Sequence, residues 1–221
     1  MENAENTKEK FSRAVKCSIV YMVIYCLLTL LAIYYAPDIL LAGVGIIGGI
    51  YIFINSFFIK YKRERLFVNG LILALTVLCL GVLVGESIDL EGILSLGAAI
   101  SVIDILSFTR FGKSTINAKA MSNVHFMSKL IVYGKGKGDI LIPTRGIGDY
   151  FYYAMWIAGI WNVSNRLWAY VTAAGMIFLG TTIEYFIIAR LSRREGYKGF
   201  PATVIPFICV AAWYGVLYWI F

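Results

Sequence analysis

The chain has 221 residues, of which 60% are hydrophobic and only 15% are charged, and its formal net charge is +7. Soluble domains carry roughly 45–50% apolar and about 25% charged residues, so this composition excludes an ordinary soluble enzyme and indicates an integral membrane protein. The basic residues are concentrated in alternate segments between apolar runs, as in membrane proteins. We therefore expect the lipid bilayer as a partner and no nucleic acid.

Apolar runs of about 20 residues, the length that spans a bilayer core, recur along the chain after a polar N-terminus at 1–15. The sequence predicts an all-α polytopic membrane protein, with residues 1–221 forming a single integral membrane domain built as a seven-transmembrane-helix bundle. The predicted helices lie at roughly 16–36, 39–59, 66–85, 92–108, 146–163, 167–189 and 200–220.

The basic residues alternate between the segments that connect these helices. Almost all of them lie in the segment up to Lys16 and in the segments 60–65, 109–145 and 190–198, and the other segments contribute only Arg166. Lys and Arg concentrate in cytoplasmic loops of membrane proteins. The sequence therefore predicts a multi-pass protein of the cell membrane with a cytoplasmic N-terminus and an external C-terminus.

The predicted cytoplasmic loop at 109–145 contains two β-prone runs, Leu130–Tyr133 and Asp139–Pro143, on either side of the glycine-rich segment 134–138. Two such runs around a glycine-rich turn predict a short β-hairpin. An isolated two-stranded hairpin is only marginally stable unless other parts of the protein cover it.

Two aspartates lie inside predicted spans. Asp104 ends the apolar run GILSLGAAISVID, and Asp149 precedes the run YFYYAMWIAGIW. An ionised carboxylate in hydrocarbon costs at least about 2.5–3.5 kcal/mol, so such residues are functional-site candidates. In the predicted topology both lie roughly 4–6 Å from the cytoplasmic end of their helices, at a rise of about 1.5 Å per residue. The sequence therefore predicts that Asp104 and Asp149 form one site.

Paired carboxylates have a well-defined chemistry. Two of them about 3 Å apart cannot both ionise, so they share one proton near neutral pH. The ionised member then acts as a base on water while the protonated member polarises a carbonyl group. We therefore predict that Asp104 and Asp149 are the catalytic pair of an aspartic protease, for which no metal and no cofactor is expected.

Two further motifs lie near these aspartates. Gly146 and Gly148 carry no side chains, which lets the backbone of a neighbouring helix or of a substrate strand approach closely. Pro201 and Pro206 loosen the first turns of the last predicted helix and free backbone groups there. Taken alone, the glycine motif is weak evidence beside ordinary helix packing, and the proline motif is better explained as an ordinary helix start.

Together these motifs resemble those of the GxGD intramembrane aspartyl proteases, the family of the presenilins and the signal peptide peptidases. The matching positions are Ile103-Asp104, Gly146-Ile147-Gly148-Asp149 and Pro201-Ala202-Thr203. Ile103 and Thr203 depart from the tyrosine and leucine that this family has there, and its usual nine helices exceed the seven predicted here.

The resemblance implies a presenilin-like catalytic core at 92–221, in a prokaryotic, most simply archaeal, homologue. It implies that the enzyme cleaves single-span transmembrane substrates or remnant signal peptides. In addition to the catalytic aspartates, it implies a substrate-binding or supporting role for Gly146, Ile147, Gly148, Pro201, Ala202 and Thr203.

Other interpretations stay open. The chain is also compatible with a prepilin-peptidase-like enzyme, with an ion or solute carrier that uses Asp104 and Asp149 as a proton or cation site, and with a pseudo-protease that binds transmembrane helices without cutting them. Glu184, in the sixth predicted helix, is expected to reach the membrane surface or to pair with the basic segment 190–198.

Overall fold

The computed structural model describes residues 2–107, 109, 123–136, 140–191 and 201–220, except for the side chains of residues 2–11. Parts of the predicted loop, at 110–122 and 137–139, therefore lie outside the described residues. The helices are α1 (Glu2–Tyr35), α2 (Asp38–Phe57), α3 (Leu66–Ser87), α4 (Leu90–Ser107), α5 (Val124–Lys129), α6 (Ile147–Ala158), α7 (Leu167–Leu191) and α8 (Val204–Ile220). The strands β1 (Ile131–Lys135) and β2 (Leu141–Gly146) lie between α5 and α6, and short 3-10 turns occur at Arg63–Arg65 and Gly159–Asn162.

Several helix ends have local causes. Pro37 separates α1 from α2, because proline disfavours helical conformation in the preceding residue and is itself tolerated at a helix start. Asp38 follows in the first turn of α2, where its negative charge interacts favourably with the helix dipole. The side chain of Asn123 caps α5 by accepting a hydrogen bond from the Phe126 N–H at 3.0 Å.

Five helices among the described residues are long and apolar enough to cross a membrane, and they cover Ser12–Tyr35, Asp38–Phe57, Arg63–Ser87, Leu90–Ser107 and Leu167–Leu191. Their outer faces expose many large apolar side chains, as lipid contact requires. The chain is therefore a predominantly helical, multi-pass membrane protein, as the sequence predicted.

The predicted number of seven spans is not confirmed. The predicted span at 146–163 forms the 12-residue helix α6, which ends where Gly159–Asn162 tighten into a 3-10 turn. The predicted span at 200–220 forms the 17-residue helix α8, which begins only at Val204. Both helices are shorter than the about 20 residues that cross a bilayer core unaided.

The predicted β-hairpin is present, and it packs against other parts of the protein. β1 and β2 pair antiparallel, with Tyr133 opposite Pro143. A Cβ atom added to Gly70 of α3 would lie 3.1 Å from the Cα atom of Val132, so the backbones of α3 and β1 nearly touch. Lys129, just before β1, donates hydrogen bonds from its Nζ to the carbonyl of Asn55 at 3.0 Å and to further carbonyls near the end of α2. The hairpin is thus attached to two of the spanning helices.

Helix α6 is the centre of the bundle. More than half of its residues are buried, namely Tyr150, Tyr153, Ala154, Met155, Trp156, Ile157 and Ala158. A helix that is apolar on all sides belongs in a protein interior. Tyr25 of α1 donates a hydrogen bond from its hydroxyl to the Tyr150 carbonyl at 2.8 Å. Contacts from several helices therefore hold α6, and with it Asp149 in its first turn.

The start of α8 is held close to α7. A Cβ atom added to Gly180 of α7 would lie 2.6 Å from the Cα atom of Pro206, so only glycine permits this approach. Gly97 of α4 likewise lies against the ring of Phe207. These two contacts bring the residues just before α8 to the end of α4.

Candidate functional site

The site lies where β2 runs into α6. Gly146 is both the last residue of β2 and the N-cap of α6, and Asp149 follows in the first turn. Asp104 lies in the last turn of α4 and is within electrostatic reach of Asp149. No hydrogen bond among the described residues joins the two carboxylates. The structure thus brings both aspartates into one site, but their side chains are not hydrogen-bonded to each other.

Asp104 is held by the segment that leads into α8. Its Oδ2 atom accepts two hydrogen bonds from Thr203, one from the backbone N–H at 3.1 Å and one from the hydroxyl at 2.9 Å. Thr203 is only 4% exposed. Hydrogen bonds to a charged group are stronger than those between neutral groups, so they stabilise the carboxylate and fix its orientation.

Asp149 has a basic neighbour. The Nη1 atom of Arg145 lies 4.0 Å from the Asp149 Oδ2 atom, and Arg145 itself is buried at the end of β2. The Arg145 side chain donates to Glu184 Oε2 at 2.7 Å, to the Tyr153 hydroxyl at 2.9 Å and to the Tyr185 hydroxyl at 3.2 Å. The closest partner of the guanidinium is therefore Glu184 and not Asp149.

The charges of this cluster do not balance. Asp104 and Asp149 both lie within electrostatic reach of Glu184, and the Arg145 guanidinium lies beside Asp149 and Glu184 but not beside Asp104. Burial lowers the pKa of Arg145, but the surrounding Tyr153, Glu184, Tyr185 and Asp149 raise it, and the net result is a pKa well above the ordinary value. The guanidinium therefore stays charged. One cation cannot neutralise all three carboxylates, of which Glu184 is buried while Asp104 and Asp149 are half-buried.

Sequence reasoning missed the partnership of Arg145 and Glu184. In the sequence, Arg145 is the last residue of the predicted cytoplasmic loop 109–145, and Glu184 is expected to reach the membrane surface or to pair with segment 190–198. The structure shows that Glu184, only 2% exposed, pairs with Arg145 across the bundle. A signal was available, because a carboxylate inside a span needs a partner and Arg145 stands four residues before Asp149.

The two glycines next to Asp149 have space around them. A Cβ atom added to Gly146 would meet only the Asp149 Oδ2 atom, at 3.9 Å, and one added to Gly148 would meet only the Tyr152 ring, at 4.0 Å. Both are ordinary contact distances, so no other helix among the described residues packs closely against these two glycines.

The other predicted supporting residues lie at the edges of the site. Ile147 packs against the core, and its N–H donates to the Leu130 carbonyl at 2.9 Å, which ties α6 to the hairpin. Pro201 and Ala202 are half-buried and lead into Thr203, the residue of that segment that contacts Asp104. Among the described residues, no group of three or more His, Cys, Asp or Glu is arranged to hold a metal ion.

Comparison with known proteins corrects the family expected from the sequence. A family model described as YwiC-like protein matches residues 4–85, which comprise most of α1 to α3. This family differs from the GxGD proteases, so the predicted resemblance to presenilins and signal peptide peptidases is wrong. The predicted division of the chain, with a catalytic core at 92–221, stays a prediction. No curated protein and no solved structure matches the chain. The matched region ends before α4 and includes neither Asp104 nor Asp149.

Proposed function

We propose that the protein is an intramembrane aspartic endopeptidase whose catalytic groups are Asp104 and Asp149. The observation that carries this proposal is that two carboxylates, from α4 and α6, lie within electrostatic reach of each other in a helical membrane protein. Each has its own neighbouring donor, since Thr203 binds Asp104 and Arg145 lies beside Asp149. The proposal rests on this geometry alone and not on membership of a protease family.

The chemistry requires one proton shared by the pair. The ionised aspartate takes a proton from a water molecule, whose oxygen attacks the peptide carbonyl carbon. The protonated aspartate donates its proton to the carbonyl oxygen, which gives a tetrahedral diol. Proton transfer to the amide nitrogen then accompanies cleavage of the C–N bond. Either carboxylate can begin as the base in this scheme, so the proposal does not need a fixed assignment of acid and base.

The substrates follow from the location of the site. Helices that cross the bilayer surround it, so the peptides that reach it are transmembrane segments of single-span proteins or remnant signal peptides. A peptide bond inside a helix is shielded, so such a segment must unwind before it is cleaved. The absence of close contacts at Gly146 and Gly148 among the described residues supports the approach of an extended backbone next to Asp149.

We further propose that the N-terminus and the segment between α4 and β1 are cytoplasmic and that the C-terminus is external. Four candidate spans separate the first two, which puts them on the same side, and both are rich in Lys and Arg. An external C-terminus requires that α6 with its following turn and α8 also cross within the bundle. Labelling of engineered single cysteines from one side of the membrane would contradict this orientation if the two basic segments reacted differently.

The deciding experiment mixes the detergent-purified protein with a single-span model substrate. Asp104→Ala and Asp149→Ala are each expected to lower cleavage by at least about 10²–10⁴-fold, because each removes a proton-transfer group. A non-cleavable mimic of the tetrahedral intermediate should inhibit the wild-type protein. The matched control is Glu91→Gln, which neutralises an exposed carboxylate at the start of α4 and should leave cleavage unchanged. Cleavage that survives either aspartate substitution would end the proposal.

A graded variant refines this experiment. Thr203→Val removes the hydroxyl that binds Asp104 but keeps the backbone N–H, so cleavage should fall partially. Thr203→Ser retains the hydroxyl and should restore most of the activity.

A carrier is the second candidate, and the third carboxylate favours it. Glu184 and Arg145 form a buried ion pair near the aspartates that a two-carboxylate hydrolase does not require. In that case the cluster would take up a proton or a cation during transport. Assays of the protein in liposomes distinguish the two functions. A carrier shows Asp149-dependent proton or cation flux and no cleavage of the model substrate.

A further inference from the structure

An apolar groove lies between α1 and α3. Its volume is about 210 Å³. Four residues of α1 within 21–28 and four residues of α3 within 71–78 line it, and Val132 of β1 and Tyr150 of α6 lie at its inner side. None of the groups of the proposed catalytic site lines the groove, so its role is independent of the proposed function.

The groove offers almost no polar group to a ligand. Every described residue that lines it is aliphatic or aromatic. The hydroxyls of its two most buried tyrosines already have partners, because Tyr25 donates to the Tyr150 carbonyl at 2.8 Å and the Tyr150 hydroxyl lies 3.3 Å from Thr144 Oγ1. A polar ligand would leave its hydrogen bonds with water unreplaced here, which is costly. The groove is therefore suited to an apolar ligand.

The groove lies at the depth of the hydrocarbon region. Both of its helices belong to candidate spans, Ser12–Tyr35 and Arg63–Ser87. At a rise of about 1.5 Å per residue, the groove extends from roughly 12 Å to roughly 24 Å beyond the first residue of these spans, and the hydrocarbon core of a bilayer is about 30 Å thick. Its outer edge is open to the bilayer, since residues on both helices remain 43–53% exposed, namely Ile24, Leu28, Leu71 and Leu75. The groove is thus continuous with the surface on which lipid contacts the spans.

We propose that this groove binds one hydrocarbon chain of a membrane lipid. Lipid chains surround both helices, and a chain needs no polar partner. Water does not fill such a space, because an apolar cavity of about 150 Å³ stays dry and binds a ligand such as benzene. A transmembrane helix is about 10–12 Å in diameter, so over the length of the groove it needs several times the available volume.

Van der Waals contacts provide the binding energy. Lipid chains are as apolar as leucine, so moving a chain from the bilayer into the groove brings no hydrophobic gain. In the groove, however, the chain meets packed side chains of α1, α3 and α6 at once, and such contacts are collectively large. A bound chain therefore connects these three helices and stabilises their arrangement.

The test is photolabelling of the full chain in liposomes that contain phosphatidylcholine with a diazirine in one acyl chain, followed by mass spectrometry of the labelled peptides. The segments 21–28 and 71–78 should carry at least about threefold more label than the α2 segment 46–53, because a chain held by contacts on several sides stays longer than one at a flat surface. Exposure alone predicts the opposite, since Ile46 and Ile47 of α2 are 63% and 72% exposed.

Substitutions of Ala74 separate the groove from the rest of the lipid-facing surface. Ala74→Phe places a ring in the groove and should remove most of the excess label. Ala74→Leu fills less of the groove and should have an intermediate effect, which keeps the test informative if the phenylalanine variant does not fold. The matched control is Ala99→Phe at an exposed position of α4, which should leave the labelling of 21–28 and 71–78 unchanged.

Thermal unfolding in detergent gives a second measurement. Added phosphatidylcholine should raise the melting temperature of the wild-type protein more than that of Ala74→Leu, whose groove is already partly filled. Labelling that follows exposure alone, or labelling that neither Ala74 variant changes, would overturn the proposal. Protection of both segments from the label in a dimeric protein would also overturn it, because a second copy would then cover the groove.

Discussion

Replacing Arg145 with leucine is expected to lower the free energy of unfolding by about 3–5 kcal/mol, the usual cost of removing one partner from a buried ion pair. Glu184 is only 2% exposed, and its Oε2 atom lies 2.7 Å from the Arg145 Nη2 atom, so the substitution leaves a buried carboxylate without its cation. It also removes the donors that bind the hydroxyls of Tyr153 and Tyr185. Denaturant or thermal unfolding in detergent measures the loss.

The double variant Arg145→Leu with Glu184→Leu identifies the cause. Replacing both partners by apolar residues removes the uncompensated charge, so it should recover most of the lost stability. Arg65→Leu, which removes an exposed cation, should change the free energy of unfolding by less than about 0.5 kcal/mol. If the double variant is as unstable as Arg145→Leu alone, then the loss comes from the packing of the long Arg145 side chain and not from the ion pair.

Much of the helical framework could be predicted from hydropathy, because helices α1 to α4 and α7 are apolar over the length of a bilayer. The hairpin was also predictable, since its strands are β-prone and flank a glycine-rich turn. Hydropathy does not distinguish a helix that faces lipid from one buried in protein, so the central position of α6 could not be inferred. Its aromatic residues, such as Tyr153 and Trp156, are as apolar as a lipid-facing segment but are fully buried.

The candidate site was predictable only in part. A charged residue inside an apolar run is unusual because it is costly in a membrane, so Asp104 and Asp149 are recognisable from the sequence. Arg145 is not recognisable as a site residue from the sequence, because there it belongs to a basic loop. Its burial in the bundle is visible only in the structure. The family was mistaken for a related reason. Short motifs of Gly, Pro, Ala and Asp recur in unrelated membrane proteins, because small residues allow close backbone approach in any of them.

The tightest backbone contact around α6 predicts the second large effect. Gly81 and Gly85 lie four residues apart on α3 and face α6. A Cβ atom added to Gly81 would lie 2.6 Å from the Phe151 carbonyl oxygen, and one added to Gly85 would meet the Met155 carbonyl and lie 3.0 Å from the Gly159 nitrogen. These obstacles are backbone atoms, which cannot rotate away as a flexible side chain would. A larger residue at either position must therefore move α6 away from α3.

Gly85→Val is expected to lower the free energy of unfolding by about 3 kcal/mol, at the upper end of the usual cost of overpacking. The control is Gly49→Val on α2, where an added Cβ atom has nothing within 4 Å, and it should be nearly neutral in thermal unfolding in detergent. Equal melting temperatures for the two variants would contradict the expectation.

Because Asp149 moves with α6, Gly85→Val should also misalign it with Asp104, and a displacement of about 1 Å is enough to slow catalysis roughly 10²-fold. A Gly85→Val protein that is less stable but fully active would show instead that the alignment of the carboxylates does not depend on the packing of α3 against α6.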